Sequence, residues 1–242
     1  SSEELLKRIV DEDERVLEEW ARVLEEIKDL SKAVVDLLDK VLKEIEAIVD
    51  EVTRRLERDG TDDKKKIRDL VEEIKDIIRR AREKLRRIVK ENEEILEEAK
   101  RRLDKIAEDN RRTLEKVRKE LEETKSEREV KRILERVLRE AEDSHRRAVE
   151  LLEELLDRSR RTIEEAIRLI KELLDRILEL LKRLGLPKDL LETIKKRVEE
   201  IRRTLEKIKR DYDKAIEELL MSCAQESEEY KEVIDDLRRK TK

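Results

Sequence analysis

The chain has 242 residues, of which 54% are charged and only 1% aromatic, with no Phe. Its 63 basic and 68 acidic residues nearly cancel, to −5, and are interleaved without a basic block, which argues against nucleic acid and anionic membrane as partners. No apolar run is long enough to span a bilayer, no leader-like stretch opens the chain, and the single cysteine excludes an internal disulfide or a cysteine-based zinc site. Charged composition combined with helical periodicity predicts long helices rather than disorder. The 36% apolar content predicts a thin seam along those helices rather than a thick core.

The first predicted helix runs from Ser2 to Arg58, with inward positions from Leu6 to Val52 spaced alternately by four and three residues. It stops at Gly60, suited to the left-handed position after a helix, and Thr61 is the expected N-cap of the next, with Asp62 and Asp63 on its positive end. The second helix is expected over Asp62 to Glu123. Ser126 and Glu129 have capping-box spacing, so a third helix follows from Glu127 to Leu184. Gly185, Leu186 and Pro187 then close one helix and open the last, Pro187 to Arg239. The chain has no other Gly or Pro. Four helices of about 50–60 residues joined by short loops predict an all-α, single-chain, up-down-up-down four-helix bundle, each helix roughly 80 Å long. Regularity of this order, deliberate capping and a mixed-charge surface follow the rules of computational design and imply a de novo protein, expected to be a monomer.

Asp13, Trp20, Ser31, Asn92, Asn110, Ser144, Ser159 and Thr162 fall on inward positions, and His145 adjoins Ser144. An unpaired buried polar group costs about 1–3 kcal/mol, so these residues are expected to bond to one another and fix helix order and register. The Trp20 indole N–H is expected to go to an Asp or Ser. A lone histidine without clustered partners does not make a metal site, and no phosphate loop, nucleophile elbow or Cys/His pair is present. Neither an enzyme nor a cofactor is expected.

One stretch breaks the uniform alphabet. The only Met, Cys and Gln of the chain lie together in Met221-Ser222-Cys223-Ala224-Gln225-Glu226-Ser227. With Leu219 before it, this stretch resembles the C-terminal degron of the ornithine decarboxylase family, which reads Leu-Pro-Met-Ser-Cys-Ala-Gln-Glu-Ser. Leu220 stands where that family has Pro, and a proline inside a helix costs about 3 kcal/mol, so leucine lets the helix continue through the segment. The resemblance covers about eight residues. It implies recognition by the proteasome without ubiquitin, with Cys223 as the critical residue. The register places Cys223 on the seam or its edge, with Met221 and Gln225 further out.

A helical bundle whose last helix hides a signal peptide is similar to the designed LOCKR switches. That resemblance implies a three-helix cage, residues 1–184, and a loop and latch helix, residues 185–242. A separate key helix would displace the latch and expose the degron, and the proteasome would be a partner in the open state. The alternative is a passive designed four-helix scaffold. The chain carries no address; as a synthetic protein it would act in the cytoplasm or nucleus of cells that express it.

Overall fold

The structure is a computed structural model that describes residues 1–60 and 63–242. It contains four long helices, α1 (Ser2–Arg58), α2 (Lys64–Glu123), α3 (Glu127–Lys182) and α4 (Lys188–Thr241), which pack as an up-down bundle. Expected ends and observed ends differ by a few residues where capping decides them. The start of α2 is set by Asp63, whose Oδ1 accepts from the Lys66 amide at 3.2 Å and whose carbonyl accepts from Ile67. Asp63 is therefore the N-cap, and the expected roles of Thr61 and Asp62 fall outside the described residues. At the start of α3, the Ser126 carbonyl takes the first helical bond, from Val130. The last turn of α3 tightens, with Arg183 and Leu184 bonding to carbonyls three residues back, so the regular helix ends at Lys182 rather than Leu184. Gly185 follows at φ +66°, a region that a side chain rarely occupies. The Pro187 carbonyl accepts from Leu191 to open α4, which runs two residues past the expected end.

The helices form two compact units. One comprises Ser1–Lys28, Glu94–Ser159 and Ala215–Lys242; the other comprises Asp29–Glu93 and Arg160–Lys214. Each helix contributes one stretch to each unit, so the division does not fall between α3 and α4. In the first unit, α1 and α4 pair through Arg8–Asp236, Asp13–Tyr230 and Arg15–Glu226, ascending one helix while descending the other. Asn110–Ser144 and Glu120–Arg136 join α2 to α3 in the same antiparallel sense. In the second unit, Glu51–Arg197 and Arg55–Asp189 pair α1 with α4, Arg160–Asp213 and Asp175–Arg202 pair α3 with α4, and Glu46–Arg82 pairs α1 with α2. These ion pairs are largely exposed and contribute little to stability, but they report which helices are neighbours.

The buried stripe is wider than the seam expected from two inward positions per heptad. Adjacent residues such as Val23 and Leu24, Val41 and Leu42, Ile48 and Val49, Leu155 and Leu156, and Leu173 and Leu174 are buried together. Each helix of a four-helix core touches two neighbours, so a third position per heptad turns inward. Each large aliphatic side chain buried in this way contributes about 1.5–3 kcal/mol. The two units differ in what they bury. In the second, α4 presents an unbroken aliphatic row, Leu190, Ile194, Val198, Ile201, Leu205 and Ile208. In the first, Trp20, Asp13, Ser144, Cys223 and Tyr230 stand among the aliphatics.

Candidate functional site

The Met221–Ser227 segment lies inside α4, with no break in the helix on either side. Helical spacing sorts its seven side chains by face. Cys223 points inward and is 4% exposed, whereas Met221 is 65% exposed and Ala224 and Gln225 face solvent. Ser222, Glu226 and Ser227 are half-buried at the margins. Between Leu219 and Tyr230, two turns of α4 thus offer the core one thiol and a serine hydroxyl where most of the helix offers a large apolar side chain.

Polar contacts compensate for part of that loss. Ser227 Oγ is hydrogen-bonded to His145 Nε2 on α3 at 3.1 Å. Glu226 Oε2 accepts from Arg15 Nη1 on α1 at 2.7 Å, and Arg15 also reaches Glu12 at 2.6 Å. One turn on, the Tyr230 hydroxyl donates to Asp13 Oδ1 at 2.6 Å, a buried bond. The His145 ring stacks on Tyr230 with centroids 4.0 Å apart and an angle of 11°, and Trp20 leans on the same imidazole at 5.9 Å. Ser144 Oγ donates to Asn110 Oδ1 at 2.8 Å, tying α3 to α2 beside this cluster.

Burial governs the electrostatics here. It raises the Asp13 carboxyl to about 6, because loss of water outweighs the Tyr230 bond, and Glu12 and Glu14 push in the same direction. It lowers His145 to about 4, with Glu12 opposing, so the imidazole is neutral near pH 7. The Tyr230 phenol is pushed up by burial and then by the Asp13 charge. The Arg15 guanidinium is held protonated by its bonds to Glu12 and Glu226. Burial lifts the Cys223 thiol to about 11, helped by Glu153 and Glu19. Relative to its ordinary value of 9.0, that shift lowers the thiolate fraction at neutral pH by roughly 100-fold. Alkylation of Cys223 by iodoacetamide should therefore run at least about 100-fold slower in the folded chain than in an unfolded peptide of the same segment. Equal rates measured by mass spectrometry would contradict the burial.

The structure brings Asp13, Trp20, Asn110, Ser144 and His145 together in the first unit, around the α4 segment. Ser159 is buried in the same unit, and Asn92 and Thr162 are buried in the other; none of the three is without a partner. Two expectations fail. The Trp20 indole N–H finds no acceptor among the described residues: Trp20 is 0% exposed and its ring contact is with His145 instead. Ser31, in the second unit, is buried with no partner for its hydroxyl among the described residues. Ser31→Ala should raise stability by about 1 kcal/mol in denaturant unfolding, since it deletes an orphaned hydroxyl and opens almost no cavity.

Tyr230, Arg15 and Glu226 were not singled out as polar participants by sequence reasoning. Tyr230 gave a signal: it is one of only two tyrosines and occupies an inward position. Arg15 and Glu226 gave none, since such residues are everywhere in the chain. Among the described residues, no cluster of three or more His, Cys, Asp or Glu side chains is placed to hold a metal ion, and no helix is long and apolar enough to cross a membrane. Compared with protein-family models, curated proteins and solved structures, the chain has no match.

Proposed function

We propose that α4 carries a proteasomal degradation signal kept silent by its own helix, and that the chain is an engineered switch. Residues 1–184 act as the cage and residues 185–242 as the latch. A degradation machine engages extended polypeptide; a signal wound into a helix with its critical thiol turned inward is unreadable. The observation that carries this reading is Cys223, 4% exposed within an uninterrupted helix. The bonds of Ser227 to α3 and of Glu226 to α1 support it, because they hold the other end of the same segment.

Opening requires a competitor. An added helix repeating the α4 apolar face would bind where α4 binds and leave α4 without partners. Isolated from its groove, α4 loses the tertiary burial that sustains most helices in water and frays. Shifting the population from about 1% to 99% open takes about 5.5 kcal/mol of differential binding. The latch is tethered and so has a high effective concentration, which the competitor must overcome by concentration or by longer contact.

A reporter protein fused to the chain tests this in cells. With the competing helix co-expressed, the reporter should be lost; without it, the reporter should persist. Cys223→Ala should leave the reporter intact in both conditions. If the competitor demonstrably displaces α4 and reporter levels do not move, the segment is not a signal; if it does not displace α4, the chain is a passive bundle.

A further inference from the structure

Behind the Tyr230–Asp13 bond lies a small void of about 10 Å³. Its walls come from all four helices of the first unit: Asp13 and Trp20 from α1, Asn110 from α2, Ser144 and His145 from α3, and Tyr230 from α4. A volume near one probe sphere is the smallest that holds a water molecule, and water stays in such a place only where two to four polar partners converge. Both conditions are met. Trp20 supplies a buried indole N–H that no protein group accepts. Asp13 supplies a carboxylate of which only one oxygen is engaged by Tyr230, and Asn110 supplies an amide already oriented by Ser144.

We propose that this void is a binding site for a single water molecule, which accepts from Trp20 Nε1 and donates to Asp13 and Asn110. The water completes the hydrogen bonding of a buried donor that is otherwise desolvated without compensation, and it joins α1 and α2 beside α4. A groove of about 710 Å³ lined mainly by α2 and α3 shares Asp13 and Asn110 with the void. This site stands apart from the reading of the Met221–Ser227 segment and does not depend on it.

Water-selected NOE and ROE spectra of the full-length labelled chain test the proposal. Trp20 is the only tryptophan, so its indole proton gives one resonance. The Ala148 methyl also lines the void and does not exchange with solvent. Water cross-peaks are expected at both protons, with the sign of a water tumbling with the protein. They should persist in Ser144→Ala and in Tyr230→Phe, which each remove a hydroxyl capable of relaying magnetisation. Absence of both cross-peaks overturns the proposal. So does loss of the Ala148 peak in either variant, which assigns the signal to an exchanging hydroxyl.

Discussion

Replacing Tyr230 with alanine should release the C-terminal stretch of α4 while leaving its N-terminal stretch docked. Tyr230 is among the largest fully buried side chains of the chain. Removing a buried aromatic ring costs about 3–5 kcal/mol through lost burial and the cavity left behind. Two further losses follow from the geometry. Asp13 loses the donor at 2.6 Å, and His145 loses the ring stacked 4.0 Å from it. Asp13 limits its own penalty by taking a proton, since burial has already raised its carboxyl to about 6. The net expectation is about 3–5 kcal/mol, or roughly 10²- to 10⁴-fold faster amide exchange at Ile234 and Leu237. Exchange at Ile201 and Leu205, in the other unit, should change little. Tyr230→Phe keeps the ring and loses only the hydroxyl, so its effect should be about 1 kcal/mol. Cys223 alkylation should accelerate in the alanine variant and much less in the phenylalanine one. Equal acceleration of exchange at Ile201 and Ile234 would show that α4 opens as one piece and that Tyr230 is not a local clasp.

The asymmetry behind that expectation is only partly readable from the residues in order. Heptad spacing identifies Ile194 through Ile208 as an aliphatic row and Cys223 as its thin continuation, but it opens the row at Leu191, whereas Leu190 is the residue that turns inward. Gly60 and Gly185, both at φ +66°, mark two of the three turns, and four helices then follow from short loops. Spacing does not say which rung of α1 lies opposite which rung of α4. Asp13 and Tyr230 are 217 residues apart, and their bond depends on the axial register that the turns impose. Nor does a two-position heptad anticipate Leu42, Val49 or Leu174, because it describes a helix touching one neighbour rather than two. Trp20 shows the opposite limit. Its inward position was plain, but an orphaned indole N–H is a property of three-dimensional surroundings, and nothing in residues 13–31 announces it.

The second large effect concerns acid, and it should become visible only when the buried pair is taken apart. His145 is lowered to about 4 in the fold, so its contribution to stability is complete above its ordinary value of 6.5 and is lost as pH falls through 4. Asp13 runs the other way. Raised from 3.8 to about 6, its contribution is complete below 3.8 and is lost as pH rises through 6. The two windows overlap, and each shift corresponds to about 3 kcal/mol. In the unmodified chain they offset across about pH 4–6. Asp13→Asn keeps an oxygen for Tyr230 to donate to and removes the buried carboxylate. That variant should be more stable than the parent at pH 7, by up to about 3 kcal/mol, and should lose the advantage on acidification at about 1.4 kcal/mol per pH unit as Asp13 of the parent takes up its proton. His145→Gln should show the opposite slope, gaining stability relative to the parent as pH falls, because it lacks the buried imidazole that the parent must charge. Glu12, Glu14 and Glu142, which also act on this cluster, are present in both variants. Denaturant unfolding at pH 4.5 and 6.5 reads both slopes; slopes of the same sign would mean that burial of these two side chains does not control their protonation.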